Sequence, residues 1–157
     1  MGLAGCAEQA RRDEAAARLR RALAVRAMAA TGATQSAIAA ELGVSQPAIS
    51  QLLQSSERVR EVAPDLVFDA ARPIIKELAA QQGFSDPAVF GSVARGEARP
   101  ESDIDLVVRA PRGTQIGDLV AFSSLLSEVL GRHVDVITYG ALKKGLDDDI
   151  RRDMVRL

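Results

Sequence analysis

The spacing of apolar positions changes character part-way along the chain. From residue 8 to residue 30 an Ala- and Arg-rich stretch carrying Leu19, Leu23, Val25 and Met28 reads as a helix that Thr31-Gly32 ends. Ile38 and Leu42 then fall four apart on one helical face, and Gly43 allows a turn. Ser45 can cap a second helix whose first turn tolerates Pro47, with Ile49, Leu52 and Leu53 on its buried side. Between residues 56 and 83 the helical period continues. Ser56-Glu57 can start a turn, and Pro64 begins a helix with Leu66, Val67, Ala70, Ile74, Ile75 and Leu78 inward until Gly83. Pro73 predicts a kink or a break within it.

Beyond Gly83 the period drops to two. Ala88 to Phe90 predict a short buried strand. In the next strand Ile104, Leu106 and Val108 share one face while Asp103 and Asp105 share the other. Leu119 to Leu130 predict an amphipathic helix with Phe122, Leu125, Leu126 and Val129 inward, ended by Gly131. A strand from His133 to Thr138 follows, with His133, Asp135 and Ile137 on one side. The chain then predicts a terminal helix containing Ile150, Met154 and Leu157, whose positive end the run Asp147-Asp148-Asp149 favours. The order strand, helix, strand, helix, strand gives a small mixed sheet covered by helices, an α+β fold preceded by an all-α helix-turn-helix domain. The predicted division is residues 1–56, a connecting helix over 57–83, and the α+β domain over 84–157.

Composition narrows this only a little. In 157 residues, 47% are hydrophobic, ample for folded cores, and the formal charge is −1. That balance argues against coating nucleic acid wholesale. A slight basic excess in the first 62 residues makes local contact near the N-terminus the expectation. No apolar run approaches a membrane span, and no apolar signal-peptide core is visible. The one cysteine, Cys6, cannot form an internal disulfide, in keeping with a reducing cytoplasm.

The chemistry gathers in residues 88 to 109. Gly91 can end its strand with a tight turn where a side chain would obstruct a phosphate. Ser92 then opens a helical turn with free N–H groups, an anion-binding arrangement, and Arg95-Gly96 adds a cation and a second turn. Asp103 and Asp105, side by side on one strand face, repel unless a divalent cation joins them, and oxygen ligands suit Mg²⁺. A loop and a strand whose aspartates merely face water is the plainer reading.

Gly91-Ser92, ten residues, then Asp103-Ile104-Asp105 resembles the signature of the nucleotidyltransferases of the DNA polymerase beta superfamily. Gly-Ser-Val-Ala-Arg-Gly followed by Ser-Asp-Ile-Asp-Leu is similar to its minimal nucleotidyltransferase branch. The resemblance spans roughly residues 84 to 140. It implies the nucleotidyltransferase fold, with Gly91, Ser92 and Arg95 at the triphosphate of ATP. Two Mg²⁺ ions would lie at Asp103, Asp105 and a third carboxylate on a later strand, for which Asp135 in Val134-Asp135-Val136-Ile137 has the right context. His133, two positions away, reads as an ordinary strand-end histidine, with a supporting place beside the metal as the less favoured reading. Tyr139 reads as flanking the strand end.

The segment from about 20 to 55 resembles the DNA-binding units of phage-repressor-like regulators. Gln46, Ser50 and Gln51 are the available base readers, because Gln can pair bidentately with adenine. The second helix carries no Arg or Lys, so Arg58 and Arg60 would supply phosphate contacts and a dimer would be needed for affinity. A solvated face is the default account of Arg11, Arg12, Arg18, Arg20 and Arg21. Minimal nucleotidyltransferases often act as antitoxins beside a HEPN-type ribonuclease toxin, and some transfer AMP to a tyrosine of that toxin. The resemblance therefore implies a protein adenylyltransferase with a toxin partner, operator DNA as a second partner, and a homodimer or larger hetero-oligomer. With residues 1–83 committed to helices, little chain remains to wall in a small substrate. Two alternatives stay open: a non-catalytic regulator using this fold for partner docking or nucleotide sensing, and a nucleotidyltransferase toxin acting on RNA.

Overall fold

The computed structural model describes residues 2–157. Its first helix, α1 (Leu3–Ala30), is exposed over its N-terminal half and buries Leu23, Val25 and Ala27 in its second. α2 (Gln35–Leu42) starts at Thr34, whose side chain accepts a hydrogen bond from the Ala37 N–H, and ends at Gly43 in the left-handed conformation (φ 66°). α3 (Gln46–Ser56) is capped in the same way, Ser45 accepting from the Ala48 N–H, with Pro47 in the first turn where its missing N–H costs nothing. Val25, Ile38, Ala39 and Ile49 form the small core of this helix-turn-helix, with Met28, Leu52 and Leu53 against it.

A 3₁₀ turn (Glu57–Glu61) leads into α4 (Pro64–Gln81). The break that Pro73 could have made does not occur: α4 is one continuous helix through it. Pro73 is exposed, so the backbone bond it removes lies on the wetted side, while Ala70, Ala71, Ile74 and Ile75 hold the helix down on both flanks.

β1 (Ser85–Phe90), α5 (Gly91–Ala94), β2 (Ile104–Arg109), α6 (Ile116–Leu130), β3 (Val134–Thr138), α7 (Asp148–Asp153) and β4 (Val155–Arg156) complete the chain. The sheet order is β3-β2-β1-β4, with β2 parallel to β3 and the other pairings antiparallel. The terminal helix is shorter than predicted. It stops at Asp153, and Val155–Arg156 pair with β1 instead, the Leu157 N–H donating to the Pro87 carbonyl at 3.1 Å. Asp147 and Asp148 accept from the Lys143 and Gly145 N–H groups at 2.7 and 3.0 Å, so this acidic run ties down its own loop.

One core unites most of the molecule. Leu23 and Ala27 of α1, Val59, the apolar face of α4, Ile104, Leu106 and Val108 of β2, and Phe122, Leu126 and Val129 of α6 belong to a single buried cluster. Helices therefore cover one sheet face, and α1 is shared with the smaller core of the helix-turn-helix. Among the described residues no helix is long and apolar enough to cross a membrane.

Candidate active site

The site is built at the end of β1 and on the sheet face away from the main core. At Gly91 the backbone takes φ 70° and turns straight into α5. That turn brings the Gly91 Cα against Asp105: a Cβ here would stand 3.3 Å from the Asp105 Cγ and closer still to its carboxylate oxygen. Ser92 is half-buried in the first turn of α5. Arg95 is exposed at its C-terminal end, its Nε bonded to the Glu97 carboxylate at 2.9 Å, which pushes the guanidinium pKa up.

The parallel register of β2 and β3 sets Ile104 opposite Val134 and Asp105 opposite Asp135. Alternation then turns Ile104 and Val134 inward, both fully buried. Asp103, Asp105, His133 and Asp135 are left as a square on the other face. Within it, ligand atoms of Asp103, His133 and Asp135 all lie within 4.8 Å of one another, and His133 Nε2 is 2.9 Å from Asp135 Oδ1. Asp105 stands outside that tighter group, half-buried behind Gly91, so the three aspartates are neighbours but not equivalent.

Burial is the first cause that raises the Asp105 pKa above its ordinary value, followed by the charges of Asp135 and Asp103; Arg95 and His133 oppose them. A divalent cation would reverse the repulsion among the carboxylates, and the donor set of carboxylate oxygens and one imidazole is chemically suited to hold one. His133, which reads from the sequence as an ordinary strand-end histidine, stands in this group, two residues before Asp135 on the same strand face. Tyr139 lies apart from this square, its hydroxyl donating to the Asp86 carbonyl at 2.9 Å and its ring beneath the Arg109 guanidinium.

On the helix-turn-helix, Gln46 and Gln51 are exposed on α3 and Ser50 is half-buried. The Gln46 amide is held by a 2.6 Å hydrogen bond from its Nε2 to Gln35 Oε1 of α2. Arg58 and Arg60 are exposed on the 3₁₀ turn that follows, with Glu57 and Glu61 beside them.

Residues 71–157 match the nucleotidyltransferase domain model. The chain belongs to that family. Residues 8–60 of this nucleotidyltransferase match a homeodomain-like domain, a helix-turn-helix class. A candidate protein adenylyltransferase of Methanocaldococcus jannaschii is 40% identical over 75 residues, which are 48% of this chain and 81% of that protein. The protein adenylyltransferase MntA of Thermococcus cleftensis is 32% identical over 80 residues, 51% of this chain and 81% of that one. Among solved structures, a candidate minimal nucleotidyltransferase superposes with a TM-score of 0.52 at 36% identity, covering 57% of this chain and 92% of that one. A toxin–antitoxin complex with AMP-PNP superposes at 0.50 with 20% identity over 54% of this chain and 70% of that one, a likeness of fold alone. These relatives support nucleotidyl transfer by the family domain. None of these four alignments spans more than 57% of this chain.

Proposed function

We propose that this nucleotidyltransferase moves AMP from ATP to a tyrosine hydroxyl of a partner protein, a toxin of the HEPN type, and that its helix-turn-helix represses its own operon. The observation that carries the catalytic half is the register that sets Asp105 opposite Asp135 on adjoining strands, with Gly91 backed directly onto Asp105. The adenylyltransferase relatives supply the reaction class.

In this reading Gly91 leaves the turn after β1 open to the triphosphate. Ser92 and the backbone of α5 meet it, and Arg95 exchanges Glu97 for phosphate oxygens. Asp103, Asp105 and Asp135 would hold Mg²⁺, which when bound neutralises charge at the α-phosphate and on the departing pyrophosphate. Asp135, exposed at the open side of the square, receives the proton of the acceptor hydroxyl. The hydroxyl oxygen then bonds to the α-phosphorus as the bond to the pyrophosphate oxygen breaks. Asp105, half-buried, positions the group from its deeper side.

A macromolecular acceptor suits the open site. Asp103, His133 and Asp135 are all exposed, and a partner surface would supply the missing wall that small-molecule sites usually possess. Incubation with labelled ATP, Mg²⁺ and the product of the adjoining gene should label that protein. Label on RNA instead would favour a toxin, and label on neither would favour a non-catalytic docking or sensing module.

The DNA half rests on exposed Gln46 and Gln51 on a capped second helix and on Arg58 beside it. It calls for a dimer on a two-fold site, since one copy brings few phosphate contacts.

A further inference from the structure

His133 is the only histidine in the chain, and it stands in the square of side chains just described. As an isolated interaction its pairing with Asp135 has little to offer. The two side chains are 59% and 56% exposed, and ion pairs in that setting contribute little to stability. The 2.9 Å separation is that of a hydrogen bond, and it equally suits two ligands of one cation. Two ligands at neighbouring corners of an octahedron with bonds of about 2.1 Å are roughly 3.0 Å apart. His133 Nε2 and Asp135 Oδ1 are 2.9 Å apart, and Asp103 completes a group whose ligand atoms lie within 4.8 Å. The backbone fixes this placement: the Ile104 N–H donates to the His133 carbonyl at 3.1 Å, locking the start of β3 beside Asp103.

We propose that His133 is a metal ligand of this site, giving its neutral imidazole nitrogen to the cation that Asp103 and Asp135 hold, and that the site thereby takes Mn²⁺ in preference to Mg²⁺. The inference rests on the metal-dependent reading of the site and refines it. Mg²⁺ demands oxygen ligands and keeps its waters, whereas imidazole is accepted by the first-row transition cations. Asp105 is set back behind Gly91, on the deeper side of the group.

Because the chain has one imidazole, the test is direct. Untagged protein is loaded with Mn²⁺ alone in a nitrogen-free buffer, and the pulsed electron paramagnetic resonance of the bound ion is read for nitrogen coupling. Coupling is expected in the unaltered protein and absent in His133→Ala and His133→Gln, with folding checked by circular dichroism. Binding titrations should show Mn²⁺ affinity falling about tenfold or more in both variants, while Mg²⁺ affinity moves by less than about threefold. If His133 only orients Asp135 through a hydrogen bond, bound Mn²⁺ shows no nitrogen coupling, both metals weaken together and His133→Gln restores them. That result overturns the proposal but leaves the metal site standing. Failure of the unaltered protein to bind either metal overturns both.

Discussion

Gly91 lies so close to Asp105 that the two positions constrain each other: the Cβ of any other residue at 91 would sit 3.3 Å from the Asp105 Cγ, tighter than ordinary contact. Gly91 also holds φ 70°, a conformation unfavourable for side-chain-bearing residues. Gly91→Ala therefore meets two obstacles. A loss of about 1–3 kcal/mol of stability follows from the backbone alone. The greater effect is expected on turnover, because the displaced Asp105 carboxylate belongs to the proposed catalytic group. AMP transfer should fall at least about a hundredfold while circular dichroism still shows a folded protein. A Gly91→Ala protein with undiminished transfer would detach this turn from the chemistry.

Asp105 is itself a source of strain in the metal-free protein. Its folded-state pKa is raised, first by burial and then by Asp135 and Asp103. The folded chain thus holds a proton that the unfolded chain has already released. Its contribution is unfavourable above the raised pKa and vanishes below the ordinary carboxylate range, so stability from this residue falls as pH rises between the two. Asp105→Asn should melt at an equal or higher temperature than the unaltered protein at about pH 7 without metal. The difference should close near pH 3, where both forms are neutral. A variant that melts lower at neutral pH would instead assign Asp105 a structural bond. AMP transfer should be lost in it at either metal.

Much of this arrangement could be read from residue order, for a physical reason. At the start of β2 and β3 buried apolar and solvent-side acidic positions alternate, and a buried face specifies register strongly. Ile104, Leu106 and Val134 thus fix where Asp103, Asp105 and Asp135 point. The cap at Ser45 and the left-handed Gly43 are equally local, and both are found where expected. What escaped depends on distant contacts. Val155–Arg156 form a strand only because β1 offers a free edge, whereas helical spacing of Ile150, Met154 and Leu157 suggested a longer helix. Pro73 is tolerated because that side of α4 is wet, which the order of residues alone does not state. The grouping of Asp103 with His133 and Asp135 needed the start of β3 to be placed against β2.

Arg26 shows how non-local the joining of the two halves is. From α1 its Nε donates to the Val129 carbonyl at 2.8 Å and its terminal nitrogens reach the Glu128 carbonyl and Ser56 of α3. It thus closes the C-terminus of α6, where a cation is favoured, while holding α3. Gly131, just after that helix end, packs so closely on Arg60 that an added Cβ would stand 3.2 Å from its Cγ. Arg26→Ala should cost about 1.5–3 kcal/mol, the range for hydrogen bonds made by a charged group. Calorimetry of the unaltered protein should give one cooperative transition, because Leu23 and Ala27 share a core with the sheet. Two separate transitions would show that the helical half folds independently.

The last prediction concerns how sequence preference and affinity divide on the helix-turn-helix. Gln46 is exposed, yet its amide is already fixed by Gln35 at 2.6 Å, which holds it in one orientation before any base is met. A pre-oriented amide suits bidentate reading of adenine, and its loss should be felt at one base position. Gln46→Ala should therefore relax preference there by about 1–3 kcal/mol. Gln35→Ala should do so more weakly, since it frees the amide without removing it. Arg58 is exposed on the turn that follows α3, outside that helix, so Arg58→Ala should weaken all sequences alike and flatten the dependence of affinity on salt by about one unit of slope per site. Gel-shift titrations of the three variants on operator and unrelated duplexes, each at several salt concentrations, separate these effects. Equal losses for Gln46→Ala on both duplexes would make Gln46 a backbone contact. An absence of binding by the unaltered protein even at low salt would make the α2–α3 unit a protein-interaction surface.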